Sequence, residues 1–167
     1  MNEPTDRPAP PAIESRSGFT AALHWGFGEA MARSARRIVC VDRDFTNWPL
    51  GDAALLEALT GWIRRPQRQL VLLGGRFDEV PRRHPRFVAW RRAWGHAVPA
   101  WTPPEDLAAE LPTLLFDDGP VLVRLFDAVH WRGRAEFDDG AARLYRDEVD
   151  AVLQRSEPAF PVTDLGL

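Results

Sequence analysis

The sequence predicts an α/β domain built on a mixed, largely parallel sheet with helices on both faces. Two short apolar runs rich in β-branched residues, 37–42 and 69–73, alternate with stretches of helical periodicity, the pattern of parallel strands joined by crossover helices. Two more apolar runs, 113–116 and 121–126, flank Asp117-Asp118-Gly119-Pro120, a hairpin signal that makes the sheet mixed. At 167 residues and 45% hydrophobic content, the chain has the material for one core without a disulfide or metal staple.

Residues 1–16 carry Pro4, Pro8, Pro10 and Pro11 among polar residues and read as a disordered or extended tail. Phe19, Leu23, Phe27 and Met31 recur every four residues and predict a helix over 17–36, with Arg33 and Arg36 suiting its negative end. Residues 37–42 form the first buried strand. A loop follows over 43–51, and Asp52 caps a second helix whose apolar face holds Leu55, Leu56, Leu59, Trp62 and Ile63. After the strand at 69–73, residues 76–85 look irregular. Phe87, Trp90, Arg91 and Trp94 then mark a third helix, stopped by Gly95.

Residues 98–101 suggest a short strand and 105–110 a turn or two of helix. The hairpin is followed by a possible third strand over 130–137 and a last helix capped by Asp138 or Asp139, carrying Ala142, Tyr145, Val149, Val152 and Leu153 on one face. The single domain is expected over 17–156, with residues 157–167 as a C-terminal tail.

Composition narrows the function. One cysteine, Cys40, excludes an internal disulfide and an all-cysteine metal site, and its place in an apolar strand makes it a buried hydrophobe. No apolar stretch approaches the roughly 20 residues of a membrane span, and the N-terminus lacks the hydrophobic core of a secretory signal, so a cytoplasmic setting is expected. A net charge of −3 argues against general nucleic-acid binding. All 21 cations are arginine, so mechanisms that need a lysine base, Schiff base or phosphate clamp are excluded.

Ligands of open α/β sheets gather beyond the carboxyl ends of the strands. Asp42-Arg43-Asp44 and Gly74-Gly75-Arg76 occupy those ends here. Asp42 and Asp44 suit either acid/base or cation chemistry, or the commoner work of capping turns. Gly74-Gly75 lacks the rest of a phosphate-binding loop and reads as a turn. His24, His84, His96 and His130 have no metal-ligand spacing. His130-Trp131-Arg132-Gly133-Arg134 could grip a phosphate or stack on a base, against the plainer reading of an edge strand with solvated arginines. The ligand-binding candidates are therefore Asp42, Arg43, Asp44, Arg76, His130, Arg132 and Arg134. No catalytic residue, metal or cofactor is expected.

Leu111-Pro112-Thr113-Leu114-Leu115-Phe116-Asp117-Asp118-Gly119-Pro120, then Trp131-Arg132-Gly133-Arg134 and the helix with Tyr145, Val149 and Leu153, resemble one half of a phospholipase D-type domain. Active members carry H-x-K-x-x-x-x-D, with the His as nucleophile and the Lys as phosphate clamp. Matching the motif's Asp to Asp118 puts Leu111 and Thr113 at those positions; matching it to Asp117 puts Glu110 and Pro112 there. The resemblance thus implies the fold with its catalytic motif lost. The expected function is a non-catalytic module that binds a protein partner or itself. The alternatives are a nucleic-acid or phosphate binder with an arginine-lined cleft, and a cryptic hydrolase using Asp42, Asp44 and His130.

Overall fold

In the computed structural model, which describes residues 9–162, the chain forms one seven-stranded mixed sheet. In chain order the elements are α1 (Arg16–Ala32), β1 (Arg37–Asp42), α2 (Ala53–Ile63), β2 (Gln69–Gly74), α3 (Val80–Arg83), α4 (Pro85–Trp94), β3 (Ala100–Thr102), α5 (Glu105–Ala108), β4 (Thr113–Asp117), β5 (Val121–Asp127), β6 (Arg132–Phe137), α6 (Asp139–Gln154) and β7 (Glu157–Pro158). The strand order is β6-β5-β4-β1-β2-β3-β7. The α/β class and mixed sheet are as predicted. The balance between pairings leans further toward antiparallel than expected: β1–β2 and β2–β3 are parallel, while β1–β4, β4–β5, β5–β6 and β3–β7 are antiparallel.

Strand side chains alternate between faces, and the core divides accordingly. Ile38, Cys40, Leu70, Leu72, Leu115 and Val123 face α1, α2 and α4. Val39, Val41, Val71, Leu73, Leu114, Phe116 and Leu122 face the other way, where Ala142 and Val149 of α6 meet them. Helix α1 lies close on the sheet because position 26 is glycine. A Cβ there would come within 2.5 Å of Leu115 Cδ2.

Several boundaries differ from the expectations. Helix α1 stops at Ala32, four residues early, because Ser34 turns left-handed (φ 57°) and Ala35 N–H donates back to Ala30 O, a C-terminal closure. The segment 76–85 contains the short helix α3, and Pro81 and Pro85 sit in the first turns of α3 and α4, where proline costs no hydrogen bond.

Residues 1–8 and 163–167 of the expected tails lie outside the described residues, but the inner part of each expected tail belongs to the domain. Ile13 is buried and bridges to Gly133 of β6, and Ser15 caps α1 by accepting Gly18 N–H at 3.0 Å. Glu157–Pro158 adds a strand to β3, and the Phe160 ring stacks on Phe77 at 5.4 Å. Apolar side chains in otherwise polar, proline-rich sequence made both joins hard to read. The aromatic stripe on α4 is packing: Phe87 is fully buried, and Trp90 stacks on it while donating its indole N–H to Thr60 at 2.8 Å.

Candidate functional site

Strand β1 lies where the sheet changes from a parallel neighbour, β2, to an antiparallel one, β4. Its carboxyl end therefore meets the start of β4, the end of β5 and the start of β6. A cleft of about 450 Å³ opens there, lined by Asp42, Arg43, Asp44, Asn47 and Thr113 on its polar side. Its other walls are aromatic and aliphatic and include Trp48, Phe126, Val129 and Trp131. A second recess of about 380 Å³ adjoins it and shares Arg43 and Asp44, adding Gly75, Arg76 and Glu105.

The acids of the cleft hold its shape. Asp42 Oδ2 accepts Phe45 N–H at 2.8 Å and Asp44 N–H at 3.3 Å, while Oδ1 accepts the Thr113 hydroxyl at 2.5 Å. One carboxylate thus closes the turn after β1 and ties it to β4. Asp44 Oδ1 accepts Thr46 N–H at 3.0 Å, and its other oxygen lies 3.7 Å from the Arg76 guanidinium. Both aspartates therefore do the turn-capping work that short carboxylates do at strand ends.

Phe45 completes that turn in the left-handed region (φ 59°), where a bulky residue is strained. Its carbonyl accepts Trp48 N–H at 3.3 Å and bonds the buried His84 ring through Nε2 at 2.8 Å. Burial holds the His84 pKa below its ordinary value, and the neighbouring Arg83 charge pushes the same way against the Phe45 hydrogen bond. The neutral ring thus donates from Nε2 to Phe45. Under the cleft an aromatic layer runs from Trp131 to Phe19 (5.7 Å), Phe19 to Trp48 (6.4 Å), Trp48 to Phe45 (5.2 Å) and Phe45 to Phe77 (5.8 Å). Trp131, also left-handed at φ 54°, is held by that packing. The Trp48 indole nitrogen is buried with no hydrogen-bond partner among the described residues.

The predicted site residues divide into two groups. Asp42, Arg43, Asp44 and Arg76 come together around the two recesses. His130, Arg132 and Arg134 line neither, although His130 lies between Val129 and Trp131, which do. His130 is exposed in the β5–β6 turn, its Nδ1 2.8 Å from Asp127 Oδ2, and Asp127 also accepts Val129 and His130 N–H. These bonds hold the Asp127 carboxyl below its usual pKa. Arg132 donates to Glu14 O at 3.2 Å, and Arg134 pairs with Glu136 at 2.9 Å. The seven residues therefore do not line one arginine-rich cleft, and among the described residues His130 bonds Asp127 and neither Asp42 nor Asp44.

Sequence reasoning missed the cleft's other walls. Thr113 came up only as a possible counterpart of the family's lysine, and Leu111 of its histidine; both line the cleft. Phe126 and Val129 carried no signal as single apolar residues. Cys40 is fully buried, and burial pushes its thiol pKa well up, so it is an inert core residue. Among the described residues, no three His, Cys, Asp or Glu side chains are placed to hold a metal ion, and no helix is long and apolar enough to cross a membrane. No protein-family model and no curated protein matches this sequence.

Proposed function

We propose that this chain is a non-catalytic binding module of phospholipase D-like type that holds a protein partner at the carboxyl-end cleft. One observation carries the reading: Phe126 and Val129, 62% and 81% exposed, stand together on the cleft's rim. Large apolar side chains left in water beside an aromatic-lined cleft mark an interaction site. The sheet edges are poorer candidates. β7 is two residues long and contains Pro158, while β6 is bridged by Ile13 and carries Arg132 and Arg134, the devices that discourage edge pairing. The resemblance supports the non-catalytic part, since Leu111 and Thr113 line the cleft at positions one alignment assigns to the nucleophile and clamp. A cytoplasmic setting fits the single reduced, buried cysteine.

The test is capture of partners by the tagged chain and by its Phe126→Asp/Val129→Asp variant, with and without nuclease. A nuclease-resistant partner retained by the first and lost by the second supports the reading, provided circular dichroism shows both folded. Equal capture by both, or a strict monomer without partners, removes it.

A second reading, a phosphate-bearing ligand, is favoured by Arg43 and Arg76 around the smaller recess. Its signature is a rise in melting temperature with inorganic phosphate or pyrophosphate, abolished by Arg43→Gln/Arg76→Gln. A homodimer through the same rim predicts a solution mass that halves in the Phe126→Asp/Val129→Asp variant.

A further inference from the structure

The geometry points to a second binding site, on the edge of β3, that takes an extended, aromatic-bearing segment of a partner protein. Residues 157–162 occupy this site in cis until the partner displaces them. The site is separate from the carboxyl-end cleft and does not depend on that reading.

The groove is built around one buried charge. Among the described residues Arg91 is the one buried arginine, 5% exposed, and no carboxylate pairs with it. Its guanidinium donates instead to two backbone carbonyls, Val98 O from Nε and Phe160 O from Nη1. The same guanidinium lies 4.9 Å from the centre of the Phe160 ring. The buried Phe77 ring stacks on that ring at 5.4 Å, 7° from parallel. Backbone pairing completes the contact. Trp101 and Thr102 of β3 face Pro158 and Glu157, and Ala159 N–H donates to Ala100 O at 2.9 Å. These contacts read an extended backbone and one aromatic ring, as strand-addition sites do.

The occupant is held less firmly than the groove is built. None of the side chains of 157–162 is buried, and β7 is two residues long. The join at the other terminus differs, since Ile13 there is 3% exposed. Phe160 takes the left-handed region (φ 47°), a strained setting for a bulky residue. Beside it a recess of about 190 Å³ stays open between Phe160, Val162 and a wall that includes Pro81, Val88 and Arg92.

Segments with few buried apolar contacts open at a lower free energy than the domain that carries them. The groove itself stays packed, because Phe87 anchors α4 in the core and β3 pairs with β2. When the segment lifts away, the Arg91 guanidinium loses an acceptor and its aromatic neighbour, and β3 loses a strand. A replacement must supply the same three things. The partner's segment is therefore extended, with an aromatic residue directly after the one that donates to Ala100 O.

The experiment follows a fluorescein-labelled peptide of residues 156–162 binding to the full chain by anisotropy. Wild type is compared with Phe160→Ala, which weakens the cis segment, and circular dichroism checks that the variant is folded. The peptide should bind Phe160→Ala at least about tenfold more tightly than wild type, because the cis segment taxes its apparent affinity. The same peptide with alanine in place of its phenylalanine should bind neither. Hydrogen exchange gives a second reading that needs no substitution. In wild type the Ala159 amide should exchange at least about tenfold faster than the Leu72 amide, which bonds Pro99 O at 3.0 Å. No binding to folded Phe160→Ala, equal binding of the alanine peptide, or equal exchange of the two amides overturns the inference. Wild-type dimers that form at high concentration and dissociate in Phe160→Ala give the groove to a second copy and overturn the choice of partner.

Discussion

The two ends of the sheet treat their apolar surface differently. At the end where β4 turns into β5, the turn closes on its own polar groups, although Trp25 Nε1 beside Phe137 and Arg68 Nε before β2 are buried without a partner among the described residues. Asp117 is buried and its Oδ1 accepts Gly119 N–H at 2.8 Å and Val121 N–H at 3.1 Å. Asp118 reaches Arg36 N–H, Arg146 donates to two turn carbonyls, Arg37 pairs with Asp150 at 3.0 Å, and the Trp62 indole donates to Ala35 O. At the other end the acids are likewise engaged, but Phe126 and Val129 face water together on the rim of an aromatic-lined cleft; left-handed residues occur at both ends, Phe45 and Trp131 here and Ser34 and Gln67 there. A sealed end of this kind maintains the fold. An end that keeps exposed apolar side chains beside an aromatic-lined cleft has been left open for something else.

Substitutions should separate the two ends, and the largest effect is expected where β5 meets β6. A Cβ at position 133 would come within 2.1 Å of Arg124 O and 3.0 Å of Leu125 Cα, both backbone atoms. Gly133→Ala should therefore force the strands apart and cost about 3 kcal/mol in urea unfolding. At the sealed end, Asp117→Ala strands a buried Val121 N–H and should cost about 2 kcal/mol. It should leave partner capture by the remaining folded protein unchanged, and a loss of capture there would break the division.

The turn behind the cleft should be sensitive to acid. Because the folded pKa of His84 is depressed, its neutral form is the stable one in the native state. Its contribution is complete above about pH 6.5, the ordinary histidine value, and is lost as pH falls through the lower folded value. Unfolding measured from pH 8 to 5 should show that slope, and His84→Gln should flatten it.

Two small effects sharpen the contrast. Ser34→Gly, at the left-handed closure of α1, should stabilise the protein by about 0.5–1 kcal/mol in the same assay. Arg43→Gln should change stability by less than about 0.5 kcal/mol, because among the described residues its side chain makes no ion pair and no hydrogen bond.

How much of this was legible in the sequence follows the range of the interactions. The two buried runs, the Asp-Asp-Gly-Pro hairpin and the caps at Asp52 and Asp138 are local signals, and each marks an element that forms where expected. Asp42, Arg43, Asp44 and Arg76 were also readable, since the ends of parallel strands are where such sheets place their sites. The rest depends on long-range register. Thr113 reaches Asp42 across 71 positions because β4 runs antiparallel to β1, and Phe126 and Trp131 arrive only after a further hairpin. His130 and Arg132 looked like site residues because they flank Trp131 in sequence. The turn packs Trp131 against Phe19, while His130 bonds Asp127 and Arg132 bonds Glu14 O, and neither lines the cleft.

The most direct test of the division between the ends is a nitrogen-15 NMR titration of the chain with the protein partner recovered by capture. The indole signals of Trp48 and Trp131 and the backbone amide of Arg43 should move together, while the Trp62 indole and Gly119 amide stay in place. Shifts centred on Trp62 and Gly119, or scattered over both ends, would contradict the assignment of binding to the carboxyl-end cleft.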